Sequence, residues 1–189
     1  MLPVSLRWLL PALPLLSVLT HCTPSLQRAD KAVLPASATK VYVVRHAEKD
    51  LTPGLADPPL TPAGQQRALA LNQALAPEQV AAVFSTATAR TRATAAPLAA
   101  RQNQPVQPYD ARQLSALAAR LRRDYRGRTV LVVGHSNTIL ETVDALGAPR
   151  PVPVIGDDTY DYLLEVSIPA DSTRPATATA RRYGAPTRP

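Results

Sequence analysis

Three apolar runs, "KVYVVR", "VAAVFST" and "RTVLVVG", set the rhythm of the chain. Each is short and continuous, which predicts buried strands over 40–45, 80–86 and 128–134. A shorter strand is predicted in "PVQPY" (105–109). "DYLLEVSI" (161–168) and "ATATARRY" (176–183) read as closing strands, paired at a sheet edge. Helices fill the intervals. After the loop "DLTPGLADPPL", Thr61 caps a helix with Pro62 at its first position, and that helix runs through "AGQQRALALNQALA" to stop near Pro77. "ATARTRATAAPLAAR" predicts a second helix, with Pro97 as its end or as a kink. Leu114, Leu117 and Leu121 recur at helical spacing in "RQLSALAARLRRDY", and "SNTILETVDALG" predicts a helix from Ser136 that stops at Gly147. Strands alternating with helices predict an α/β domain, a three-layer sandwich whose largely parallel sheet carries helices on both faces. In such sheets ligands bind outside the carboxyl ends of the strands.

Composition narrows the picture. The chain is 46 % apolar, with 20 prolines against 7 glycines, so many breaks between elements are made by proline. The net charge of +7 raises nucleic acid as a partner, but the arginines are scattered and aromatics make up only 4 %. Neither a stacking platform nor a basic stripe is present, and nucleic-acid binding is set aside.

The first residues belong to another kind of segment. "MLPVSLRWLLPALPLLSVLTHC" has one cation, Arg7, followed by an apolar run from Trp8 to Leu19. That run is short of the ~20 residues that span a bilayer and fits the apolar region of a secretory signal. Cys22, the only cysteine, follows at once, in "LTHC". This resembles a bacterial lipoprotein signal, in which the cysteine is lipidated and becomes the first mature residue. The expected organisation is a signal peptide over 1–22, a small, polar tether over 23–39, a folded domain over 40–185 and a tail over 186–189. The expected location is the cell envelope, with a lipid anchor at Cys22 holding the protein to a membrane. With Cys22 as anchor, the domain has no thiol for catalysis or disulfides.

The chemistry rests on histidines. Of the three present, His21 lies in the export segment, while His46 and His135 each end an apolar strand, after "VYVVR" and "VLVVG". One polar group at a strand end is ordinary. Two at carboxyl ends indicate a site. The short ligand spacings of zinc sites are absent, so neither metal nor cofactor is expected. Two imidazoles beside Arg45 suit a phosphate group, and an unprotonated imidazole is a competent nucleophile. The developing charge on the phosphoryl oxygens calls for fixed cations, and the helix predicted from Ser136 aims its free N–H groups at the same place. A further cation comes from "STATARTRATA". Arg90 lies nearer the helix start than Arg92, and faces a different side, so Arg90 is the pocket residue and Arg92 a surface charge.

In this order, "VYVVRHAEK", "PLTPAGQQRA", "VFSTATARTRATAAPLA" and "VLVVGHSNT" resemble the histidine phosphatase superfamily, in its phosphoglycerate-mutase-like branch. The resemblance covers about residues 40 to 147. It implies that His46 is phosphorylated during turnover and that Arg45, Arg90 and His135 complete the phosphate pocket. The chain departs from the family at Ala47, where many members have glycine. It also lacks the insertion after the pocket arginine that carries an acid in mutases, and Ser136 stands where another branch has an acid after the second histidine.

No motif identifies the general acid. Asp110, at the end of a short strand, is the preferred donor, with Glu48 in the loop after His46 as the alternative. The expected function is an exported phosphomonoesterase acting on a small-molecule or envelope phosphomonoester. The alternatives are a mutase-type phosphotransferase, a phosphohistidine-protein phosphatase and an inactive module that binds phosphorylated ligands.

Overall fold

In chain order the elements are β1 (Thr39–Arg45), α1 (Pro62–Ala74), β2 (Val80–Ser85), α2 (Ala89–Arg101), β3 (Val106–Pro108), α3 (Leu114–Asp124), β4 (Thr129–Gly134), α4 (Ile139–Ala145), β5 (Tyr162–Ile168) and β6 (Thr177–Arg182). They come from a computed structural model that describes residues 37–187. The strands form one six-stranded sheet in the order β3-β2-β4-β1-β5-β6. β3, β2, β4 and β1 are parallel, and β5 and β6 close the other edge as an antiparallel pair, as the sequence predicts.

Alternation within the strands builds two cores. Val41 and Val43 of β1, Val130 and Val132 of β4 and Phe84 of β2 face α3 and α4, where Leu117, Leu121, Ile139 and Val143 cover them. Tyr42, Val44, Leu131, Val133 and Val83 face the opposite way, under Leu71 of α1 and Leu98 of α2. Burial on both faces explains why these strands read as continuous apolar runs rather than alternating ones. All of these elements and, among the described residues, both cores lie within residues 39–183.

The helix starts follow local chemistry. Thr61 accepts the Gly64 N–H at 3.1 Å, which caps α1, and Pro62 sits where its missing N–H costs nothing. Gly64 is required by contact. A Cβ there would lie 2.3 Å from the Glu48 carbonyl oxygen, so α1 packs directly on the loop that leaves β1.

Of the two readings of Pro97, α2 does not end there but runs on to Arg101, because Leu98 and Ala99 beyond the proline are buried on the sheet and outweigh one lost helical hydrogen bond. One expectation is corrected: the helix expected from Ser136 begins at Ile139 and has seven residues. His135 to Thr138 form a closed turn instead: the Thr138 and Ile139 N–H groups donate to the His135 carbonyl, and the His135 N–H donates to the Thr138 hydroxyl at 3.0 Å.

Candidate active site

Strand register creates the site. β1 and β4 pair in parallel with Arg45 opposite Gly134, so both strands end at the same level and their next residues, His46 and His135, stand side by side. The His46 N–H continues the ladder to the Gly134 carbonyl at 2.9 Å. The imidazole centroids are 5.4 Å apart in an edge-on arrangement. Gly134 permits the sharp exit, since a Cβ there would meet the Tyr109 hydroxyl at 2.9 Å and the Thr138 hydroxyl at 3.0 Å.

His46 is 3 % exposed, and its Nδ1–H donates to the Ala47 carbonyl at 2.7 Å. That tautomer leaves Nε2 with its lone pair. Burial, and then Arg45, Arg90 and His135, pull its pKa from 6.5 to about 3. His135 bonds Thr86 through Nε2 at 2.9 Å, and burial with Arg90, Arg45 and Lys49 lowers its pKa to about 4. Both imidazoles are therefore neutral in the free protein at ordinary pH.

Two arginines converge on them. Arg45 is nearly buried, and its Nη1 donates to the carbonyls of Gly156, Asp157 and Thr159, with the guanidinium 4.2 Å above the Tyr160 ring. Arg90 is held by Asp57 at 3.6 Å, and the Asp57 carboxylate also accepts the Ala89 N–H at the start of α2. In both arginines the Nε–H is buried and has no partner. An unmade hydrogen bond at a buried donor costs about 1–3 kcal/mol, so both guanidinium groups are held under strain beside the imidazoles. The cleft measures about 490 Å³ and is lined by Arg45, His46, Arg90 and His135, with Lys49, Leu51, Asp157, Asp158 and Tyr160 among the residues at its mouth.

The structure thus brings Arg45, His46, Arg90 and His135 together and leaves Arg92 exposed, bonded to the Ala87 carbonyl. The two acid candidates fall outside. Asp110 is bound by the backbone N–H and guanidinium of Arg112, which hold its carboxyl below its usual range, the reverse of what a proton donor needs. Glu48 turns away into an ion pair with Arg67, whose Nε and Nη2 lie 2.7–2.9 Å from its oxygens. Arg67 is 4 % exposed on the buried stripe of α1, beside Gly64, Ala68 and Leu71. A cation at a core position needs a fixed anion, and Glu48 supplies it. The spacing of Arg67 with Gly64, Ala68 and Leu71 was the available signal for that pairing.

The loop 156–160 was not foreseen in the sequence. It carries Asp157, Asp158 and Tyr160, and Asp157 accepts from the Ser136 hydroxyl at 2.9 Å across the cleft mouth. Its position follows from β5 running antiparallel to β1, which starts β5 at the rim where β1 ends. Among the described residues, no three or more histidine, cysteine, aspartate or glutamate side chains gather as a metal site.

Residues 41–113 match the pattern of the histidine phosphatase superfamily, branch 1. No curated protein matches the chain. Its fold is shared with solved structures. The protein histidine phosphatase SixA, complexed with tungstate, is 19 % identical and superposes with a TM-score of 0.60 over 78 % of this chain and 97 % of its own. A mycobacterial glucosyl-3-phosphoglycerate phosphatase is 17 % identical, with a TM-score of 0.56 over 78 % of this chain and 99 % of its own. Mycobacterial hydrolase 1 is 16 % identical, with a TM-score of 0.57 over 79 % and 100 %.

The depressed histidines have a measurable consequence. Folded-state pKa values below the ordinary 6.5 leave their contribution to stability complete above about pH 6.5 and lost as the pH falls towards 4. Nitrogen-detected NMR of the free protein should show both imidazoles neutral at pH 5. Inorganic phosphate should raise both pKa values and flatten the acid decline in melting temperature. A protonated His46 at pH 5 without phosphate would contradict the assigned electrostatics.

Proposed function

We propose, for a chain that belongs to the histidine phosphatase superfamily and is a phosphatase, that it hydrolyses phosphomonoesters through a phosphohistidine formed on His46. The observation that carries this reading is the convergence of two guanidinium groups, Arg45 and Arg90, and two neutral imidazoles, His46 and His135, on one cleft. The two guanidinium groups bind phosphoryl oxygens and orient the ester in line with Nε2 of His46. Nε2 forms the N–P bond as the ester P–O bond breaks, and the leaving oxygen takes a proton. His135 lies against the same phosphoryl group and stabilises its charge. Water then attacks phosphorus, the N–P bond breaks, and inorganic phosphate leaves with His46 neutral again.

With Asp110 and Glu48 engaged elsewhere, the proton donor is assigned to Asp158. It lines the cleft and has no hydrogen bond or ion pair among the described residues, whereas Asp157 is bonded to Ser136. A second reading, hydrolysis of phosphohistidine on another protein, is supported by the likeness to SixA. The chemistry needs no resident metal, and a strong chelator is expected to leave turnover intact. Export and lipidation remain part of the proposal on the strength of the apolar run and Cys22, both outside the described residues.

Three measurements check this reading. Enzyme quenched during turnover of labelled phosphomonoester should retain label in base and lose it in acid, and His46→Ala should retain none. Label persisting in His46→Ala would overturn the nucleophile. In a leaving-group series, Asp158→Asn should slow alkyl phosphates roughly 10²-fold and spare p-nitrophenyl phosphate, whose leaving group barely needs the proton. Undiminished alkyl phosphate turnover would remove Asp158 from the role, and preferred turnover of a phosphohistidine protein would favour the second reading. Finally, Cys22→Ser should release the protein from the membrane fraction or leave its precursor uncleaved. Normal processing with unchanged membrane association would rule out the anchor.

A further inference from the structure

The arginines are paired unevenly. Arg45, Arg67, Arg90, Arg112, Arg120, Arg123, Arg150 and Arg182 each have a carboxylate partner. Arg122, Arg126, Arg128 and Arg174 have no such partner among the described residues, are all exposed, and gather at one end of the sheet. Arg122 donates to the Leu146 carbonyl at 2.5 Å and Arg126 to the Ala170 carbonyl at 2.7 Å. Those bonds position the guanidinium groups without neutralising them.

Three of these four, Arg122, Arg126 and Arg174, line two adjoining hollows of about 400 and 550 Å³. Arg126, Arg174, Pro169 and Ala170 line both, and Arg122 lines the smaller. One carboxylate, Asp171, lines the larger hollow and faces the charge of Arg174, and its Oδ1 also accepts from the backbone N–H and hydroxyl of Thr173 at 2.9 and 2.7 Å, which leaves Arg122 and Arg126 without a counter-charge of their own among the described residues. Thr39, which begins β1, and Ile168, which ends β5, lie in the wall. This is the amino end of the parallel strands, opposite Arg45 and His46. It is also where the described chain begins: the Ser37 hydroxyl donates to the Gly127 carbonyl at 3.0 Å, one residue from Arg126 and Arg128.

We infer that this basic end is a docking surface for an anionic lipid bilayer. Unneutralised cations on one face attract acidic headgroups, and each Arg near such a surface raises partitioning about fivefold. Exposed cations within a Debye length, about 8 Å at physiological salt, act together and are weakened by added salt. The stretch from Cys22 to Ser37 spans at most about 50 Å when extended, which keeps the patch close to a bilayer that holds Cys22. Strands of this length hold the cleft roughly 20 Å from the docked end. The cleft then faces away from the bilayer and takes its phosphomonoester from the aqueous side. The inference goes beyond the phosphatase reading and does not depend on it.

The test uses fragment 34–189, which contains every element of the sheet and both cores and lacks Cys22. Sedimentation with phosphatidylcholine vesicles containing about one third phosphatidylglycerol should show binding that falls as salt rises, with none to pure phosphatidylcholine. Arg122→Gln/Arg126→Gln/Arg174→Gln should reduce anionic binding about 10-fold or more, and the triple Lys variant should retain it. The same loss of charge at Arg92, Arg112 and Arg181 should reduce it no more than twofold. Turnover of p-nitrophenyl phosphate, unchanged in every variant, reports that each is folded, and absent turnover in the parent would overturn the phosphatase reading alone. Absent binding by the parent, equal binding to neutral vesicles, or equal loss in the control triple would overturn the inference. So would release of the parent by millimolar inorganic phosphate at constant ionic strength, which would make the hollows a site for free anions.

Discussion

The active site depends on one register. β1 and β4 come from residues far apart in the chain, yet Arg45 lies opposite Gly134 and both strands stop there. A slip of one residue along the pair would turn every side chain to the other face, burying His46 in one core while His135 stayed at the rim. The two-sided burial of Val41 to Val44 against Val130 to Val133 prevents that slip. Core packing thus sets the 5.4 Å separation of the imidazoles.

Around that pair the protein concentrates positive charge and half-buried polar groups, an expensive arrangement that is balanced locally. Loop carbonyls 156, 157 and 159 take up one side of Arg45, and Asp57 steadies Arg90 from behind. Both arginines nonetheless line the cleft. The same field, added to burial, keeps both histidines neutral, so the cations that line the cleft also leave its imidazoles unprotonated. Glu48 and Arg67 contribute at a distance. Their ion pair, with the close packing of Gly64 on the Glu48 carbonyl, fixes the chain just beyond Ala47, whose carbonyl sets the His46 tautomer.

The parallel sheet also separates two kinds of surface. Its carboxyl end holds the oxyanion cleft, where cations are tied to loops and carboxylates. Its amino end holds Arg122 and Arg126, placed by backbone carbonyls and without an ion pair among the described residues. Polarity of this kind is inherent in parallel strands, because all begin at one end and finish at the other.

Much of this was legible along the chain. Apolar runs marked the strands, Thr61 and Pro62 marked a helix start, and polar residues following apolar runs marked Arg45, His46 and His135. These signals are local, produced by burial, capping and the cost of polar groups at strand ends. The placement of Arg90 was also legible, from its nearness to the start of its helix. What sequence could not assign were partners distant in the chain. Glu48, the alternative acid, looked free until folding brought Arg67 onto it, while Asp110, the preferred one, is taken by Arg112 two residues on through a local conformation that its sequence did not announce. Asp158 and Tyr160 entered the cleft only because β5 runs antiparallel to β1. The sequence by itself determined the strands, the helices and which arginines and histidines would meet at the carboxyl end of the sheet. Tertiary structure alone decided which charges are neutralised, because ion pairing depends on distances of a few ångströms between segments that the linear order leaves unspecified.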